Sequence, residues 1–105
     1  MPNDPIINDM LDRLIRAFDP LKIILFGSRA RGEGRADSDV DLLVVMPEGT
    51  NRRAAAVAMR RRLADMPVAK DVIVTTPDEI DRQRNDVGSV IRPALIEGRV
   101  LHERR

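Results

Sequence analysis

Residues 23–45 read IILFGSRARGEGRADSDVDLLVV. Two apolar runs, at residues 23–26 and 42–45, flank a segment that is rich in glycine, arginine and aspartate. The first run lies within residues 21–26, between Pro20 and Gly27, and the second within residues 40–46, between polar residues and Pro47. Each is shorter than a typical helix, which predicts two β-strands. The second run is apolar at every position, and this pattern favours a central strand that is covered on both faces.

The segment after the first strand has the composition of a phosphate-binding turn. Gly27 lets the backbone approach a ligand closely, and Ser28 begins a short helical turn whose N–H groups lack intrahelical partners. Arg29 and Arg31 add side chains that can make charge-assisted contacts to phosphate oxygens. We therefore predict that these four residues bind a triphosphate.

Three aspartates form the second half of the predicted site. Asp39 and Asp41 begin the second strand, where the two-residue period puts both carboxylates on one face, roughly 6 to 7 Å apart. Asp71 begins a later apolar run on what we expect to be a neighbouring strand. Carboxylates that meet at a partly buried edge repel each other without a cation, so capping or solvation alone is the weaker interpretation.

Metal binding is the chemistry that this acidic set favours. Hard cations prefer carboxylate oxygens, and two Mg²⁺ ions about 3.5 to 4 Å apart stabilise the attacking and leaving oxygens of an in-line displacement. We predict that Asp39, Asp41 and Asp71 are catalytic residues that bind two such ions. Asp71 is also our candidate for accepting the proton of the attacking hydroxyl.

The rest of the chain predicts a small domain that mixes helices and strands. Asp4 and Pro5 have the pattern of an N-cap and first helical residue, and an amphipathic helix is predicted from there to near Pro20. Further predictions are a helix over residues 50–66, a strand over 69–75, a short helix after a capping box at Thr76, a helix over 89–97 closed by Gly98, and a terminal strand over 100–103.

Composition excludes several classes of function. Lys plus Arg (18) and Asp plus Glu (17) nearly cancel, and Phe18 and Phe26 are the only aromatic residues, so nucleic-acid binding is possible but not indicated. The absence of cysteine excludes thiolate zinc sites and cysteine nucleophiles. No signal peptide is visible and the apolar runs are too short to span a bilayer. We expect a cytoplasmic protein that does not bind membranes.

The spacing of Gly27-Ser28, ten residues and Asp39-x-Asp41 resembles the G-S-x(10)-D-x-D signature of minimal nucleotidyltransferases in the DNA polymerase β superfamily. The resemblance extends to the preceding strand, to the third acid at Asp71 and to the tail Glu97-Gly98-x-x-Leu101. It implies one α/β (α+β) domain over residues 1–105, with a mixed sheet of about four strands and helices packed on one side. It also implies a nucleoside triphosphate, most simply ATP, as substrate.

The acceptor of the nucleotide is not visible in the chain, whose 105 residues are taken up by the metal and triphosphate sites. Stand-alone members like this one resemble antitoxins that are paired with an all-helical HEPN ribonuclease toxin. The resemblance implies transfer of AMP to a tyrosine near the toxin's ribonuclease site. Because this chain contains no tyrosine, such an acceptor must be on another protein.

Two alternatives to this function remain open. The first is a binding-only antitoxin that masks its toxin and whose catalysis is vestigial. The second is nucleotidyl transfer to a small molecule or an RNA end, with the acceptor pocket formed at an oligomer interface. The sequence specifies neither the oligomeric state nor the nucleotide preference.

Overall fold

The structure, a computed structural model, describes residues 4–27, 29–30, 39–89 and 91–104. Helices and strands alternate along most of this part of the chain. In chain order the elements are α1 (Pro5–Phe18), β1 (Lys22–Phe26), β2 (Val40–Val45), α2 (Arg52–Arg62), β3 (Lys70–Thr75), α3 (Pro77–Gln83), α4 (Arg92–Glu97) and β4 (Arg99–Glu103).

The four strands form one mixed sheet in the order β3-β2-β1-β4. β1 is antiparallel to both of its neighbours, whereas β2 and β3 are parallel and are connected through α2. The predicted mixed sheet of about four strands is therefore confirmed. β2 is a central strand and all of its residues except Asp41 are buried, as its continuous apolar run predicts.

The first helix begins where the sequence predicts. The Asp4 carboxylate accepts hydrogen bonds from the backbone N–H groups of Ile6 at 2.9 Å and Ile7 at 3.3 Å, and Pro5 opens the helix. The amphipathic pattern also gives the buried side of the helix correctly. Its buried residues are Ile7, Met10, Leu11 and Leu14.

The second helix is shorter than predicted, since it begins after Asn51 and ends at Arg62 instead of running to Met66. The next residues tighten into turns, with the N–H of Met66 donating to the carbonyl of Leu63 at 3.1 Å. Leu63 and Met66 are both buried in these turns. Pro67 disfavours helical geometry at Met66, so the helix does not run to Met66 as predicted.

Both faces of the sheet are covered, but unequally. α1 and α2 pack on one face, where they form the larger apolar cluster with residues such as Ile23, Leu42 and Val72. The short helices α3 and α4 cover part of the opposite face. The prediction that the helices pack on one side of the sheet therefore holds for α1 and α2 but not for α3 and α4. The smaller cluster consists of Ile24, Leu43, Ile91 and Ala94, with Phe26, Ile73, Ile80 and Leu95 packed against it.

The end of α4 depends on a close approach between helix and sheet. α4 begins at Arg92, later than predicted, because Pro93 is compatible only with the first turn of a helix. Gly98 then closes the helix, and a Cβ at this position would collide with the Ala94 carbonyl and the Ile24 side chain. None of the helices in the described ranges has the length and apolarity that crossing a membrane requires.

Candidate active site

Asp39, Asp41 and Asp71 meet at one end of the sheet. Asp41 and Asp71 are register partners on the parallel strands β2 and β3, which lie about 4.8 Å apart in a sheet. Asp39 immediately precedes β2, two residues from Asp41, and the strand period places both on the same face. The structure therefore places the three acids that the sequence singles out at the same end of the sheet.

These acids continue a row of apolar pairs on the less covered face. Leu43 and Ile73 are the next register pair on that face, and both belong to the smaller apolar cluster. Asp41 is half-buried beside this cluster, whereas Asp39 and Asp71 are exposed. The site thus has a sheltered carboxylate between two that are open to a ligand.

The half-buried carboxyl of Asp41 has a shifted pKa. Burial raises the pKa of Asp41 above its ordinary value, and the charges of Asp71 and Asp39 raise it further. Ionised Asp41 is therefore held in an unfavourable environment that a bound cation would relieve. Asp39 and Asp71 are thus both close enough to act on the charge of Asp41.

The acidic set fits a hard divalent cation by its chemistry. In the described ranges, no three histidine, cysteine, aspartate or glutamate side chains are already grouped closely enough to hold a metal ion. The side chains of Asp39 and Asp71 are exposed, however, so rotation about their side-chain bonds can turn them toward Asp41. Three carboxylates with a shared charge repulsion are the kind of ligand set that Mg²⁺ prefers.

Gly27 lies directly against Asp41. Its φ of +79° is in the left-handed region that glycine tolerates best, and the N–H of Ala30 donates to its carbonyl at 3.2 Å to form a turn. A Cβ at this position would collide with the Oδ2 atom of Asp41. A side chain at residue 27 would therefore strain the backbone and displace the sheltered carboxylate.

Of the other predicted triphosphate ligands, the structure describes only Arg29. Ser28 and Arg31 lie outside the described residues. Arg29 is turned toward the start of α1, where its Nη1 atom is 2.7 Å from Oδ2 of Asp4, and its side chain is 8% exposed. The sequence pattern indicates Asp4 only as a helix cap. A partner 25 residues away leaves no signal in local spacing.

Most of the chain matches one known protein family. A family model described as "Nucleotidyltransferase domain" matches residues 7–101 of the chain. Its match includes the whole of the sheet up to Leu101 and all three acids. No curated protein matches the chain in sequence.

Three solved structures resemble the fold. One is a candidate nucleotidyltransferase from Sulfolobus solfataricus, 24% identical, with a TM-score of 0.63 over 94% of this chain and 78% of that chain. A mutant of the toxin–antitoxin MntA-HpeT is 15% identical, with a TM-score of 0.65 over 93% and 73% of the two chains. A toxin–antitoxin with AMP-PNP is 20% identical, with a TM-score of 0.54 over 92% and 73%.

Proposed function

Because this chain belongs to the nucleotidyltransferase domain family, we propose that it transfers AMP from ATP to a hydroxyl group of a partner protein in a Mg²⁺-dependent reaction. The observation that carries this proposal is the placement of Asp39, Asp41 and Asp71 at one end of the sheet, with Asp41 against Gly27. A nucleotidyl transfer needs a cluster of carboxylates for metal and a close backbone approach for phosphate. Both features lie at the same end of this sheet.

Each acid has a distinct part in the proposed reaction. Asp41 is half-buried and packed against Gly27, so it provides a fixed ligand, whereas exposed Asp39 and Asp71 complete the metal site by turning toward it. Bound Mg²⁺ supplies neutralisation of the triphosphate charge and of the charge that develops on the leaving group. Gly27, Ser28 and Arg31 bind the triphosphate in this proposal.

The chemical step replaces one oxygen on the α-phosphorus by another. The acceptor hydroxyl oxygen forms a bond to the α-phosphorus of ATP, the bond to the bridging oxygen breaks, and pyrophosphate leaves. We assign Asp71 as the group that accepts the hydroxyl proton, because it is exposed on the edge strand β3, where an acceptor has access.

The acceptor we propose is a tyrosine of a HEPN ribonuclease toxin, which makes this chain the antitoxin. Two of the similar structures are toxin–antitoxin proteins, and one of these holds AMP-PNP. Their TM-scores of 0.65 and 0.54 show a shared fold, and at 15% and 20% identity they support the partner and the nucleotide only as a proposal. The absence of tyrosine from the chain is in accord with an acceptor on another molecule.

The test is a transfer assay with ATP labelled in its α-phosphate, Mg²⁺ and a HEPN ribonuclease from the same host. We expect label on the ribonuclease, and we expect the double variant Asp39→Asn with Asp41→Asn to lower transfer about 100- to 1000-fold. Asp12→Asn is the matched control, because Asp12 is an exposed residue of α1 that pairs with Arg16.

The outcomes of this assay separate the three hypotheses. Undiminished labelling by the double variant would contradict the role of the acids. Protection against the toxin that survives without the acids and without label would favour a binding-only antitoxin. Label that appears on RNA or a small molecule, and not on protein, would favour the remaining alternative.

A further inference from the structure

The Asp4 carboxylate links two parts of the chain through its two oxygens. Oδ1 accepts the hydrogen bonds that cap α1, from Ile6 and Ile7. Oδ2 lies 2.7 Å from Nη1 of Arg29, in an ion pair whose side chains are 30% and 8% exposed respectively. A partly buried ion pair is less screened by salt than an exposed one, and removing one partner leaves the other charge uncompensated.

The pair links α1 to the Gly27 turn, which we define as the turn closed by the hydrogen bond from Ala30 to Gly27. The packing of α1 makes it a rigid support. α1 is held by side chains such as Met10 and Leu14, which are fully buried in the larger apolar cluster. Ala30, next to Arg29, is buried in the same cluster. The chain that leaves Gly27 is thus held by Ala30 from inside the core and by Asp4 from the helix start.

This arrangement conflicts with a direct contact between Arg29 and phosphate. A guanidinium that binds a triphosphate has to face the ligand, but that of Arg29 is nearly inaccessible to solvent and is bound to Asp4. Withdrawing it would leave a carboxylate without its cation in a site that is only 30% exposed, which is unfavourable. Arg29 therefore costs more to redirect than an exposed arginine would.

We propose that Arg29 is a positioning residue, which acts through Asp4 to hold the Gly27 turn beside Asp41 and does not touch the nucleotide. The inference rests on the proposed function, since it concerns the part of that site where the triphosphate is proposed to bind. Its physical basis is that small displacements of a binding group are costly. A shift of about 1 Å can lower the rate about 100-fold, and loss of an outer supporting contact typically costs about 10- to 100-fold.

A double-mutant cycle tests this role. Asp4→Asn removes the charge but keeps the cap, because asparagine and aspartate are equally good N-caps. Arg29→Met removes the charge and keeps much of the apolar stem. Affinity for AMP-PNP with Mg²⁺ is measured by calorimetry at a temperature where circular dichroism shows every variant to be folded. The control is Asp12→Asn, which breaks the exposed pair with Arg16, 2.9 Å apart, on the same helix.

We expect each single variant to bind AMP-PNP about tenfold more weakly, and the double variant to bind no more weakly than either. The control should bind like the wild type. If Arg29 contacts phosphate, Arg29→Met alone will weaken binding, and Asp4→Asn will leave it unchanged or tighten it. If the pair only stabilises the fold, Tm will fall while the affinities stay equal.

Either of those two results overturns the positioning role. A failure of the proposed function gives a different pattern, in which the wild type and the Asp12→Asn control also do not bind the nucleotide. That result would overturn the inference together with the function on which it rests.

Discussion

One face of the sheet is covered by α1 and α2, which form the larger apolar cluster with it, whereas the short helices α3 and α4 cover only part of the other face. Leu42 and Leu43 are adjacent on β2 and both fully buried, yet they point into different clusters. On the open face, the apolar pair of Leu43 and Ile73 gives way to the acidic pair of Asp41 and Asp71. Carboxylates are thus placed on the core strands where the helical cover ends.

The largest expected difference between the faces concerns stability. Leu42→Ala should lower the free energy of unfolding by about 3 to 5 kcal/mol, because two long helices resist collapse into the cavity. Leu43→Ala should cost less, about 2 to 3 kcal/mol, because the short helices above it can relax. Urea unfolding measures both values. Equal costs would contradict the idea that the two covers differ in rigidity.

The next prediction concerns the contact between Gly27 and Asp41. Gly27→Ala should lower nucleotidyl transfer about 100-fold, because the added methyl group displaces the carboxylate. Gly49→Ala is a matched control, since Gly49 also has a positive φ, of +88°, but a Cβ there meets no atom within 4 Å. The control should lose a little stability and keep its activity. Equal loss of activity in both variants would indicate backbone strain instead.

A smaller effect is expected from neutralising the sheltered acid. The raised pKa of Asp41 means that its contribution to stability is present below its unfolded value, near 3.8, and is lost as pH rises through the folded value. At neutral pH Asp41→Asn should therefore raise Tm, by about 1 to 4 °C given its partial exposure. Calorimetry should show the gain disappearing in acid. A lower Tm at neutral pH would contradict the unfavourable environment that burial and the neighbouring carboxylates give to ionised Asp41.

The smallest effect is expected on the face that α1 and α2 cover, where a carboxyl has a lowered pKa instead of a raised one. Arg13 is 2.6 Å from Asp65 and lowers the pKa of this carboxyl by hydrogen bonding. The stability from Asp65 is present above its unfolded pKa, near 3.8, and is lost as pH falls through the folded value. Asp65→Asn should therefore lower Tm slightly at neutral pH, and Mg²⁺ should not change the difference. A rise in Tm would contradict this ion pair.

Local patterns account for what the sequence predicts well. The continuous apolar run of β2 and the Asp39-x-Asp41 alternation depend on neighbouring residues, and the N-cap at Asp4 has a recognisable signature. The meeting of Asp41 with Asp71 follows once β2 and β3 pair in parallel. These features could be derived without coordinates.

Other features depend on contacts between distant residues and could not be derived in this way. Arg29 has the composition of a phosphate ligand, and its pairing with Asp4 arises because the start of α1 and the Gly27 turn meet in space. After the early end of α2, Leu63 and Met66 are buried in turns, a tertiary contact that the helix propensity of the segment does not indicate. Unequal cover of the sheet is likewise a tertiary property.

The most direct test of the proposed site is a crystal structure with Mn²⁺ and AMP-PNP, in which anomalous scattering locates the metal. We predict that the anomalous peaks show metal ions coordinated by the carboxylates of Asp39, Asp41 and Asp71, and that the triphosphate lies against Gly27. Metal peaks away from these carboxylates, or a nucleotide at Gly27 with no metal on the three acids, would contradict the account.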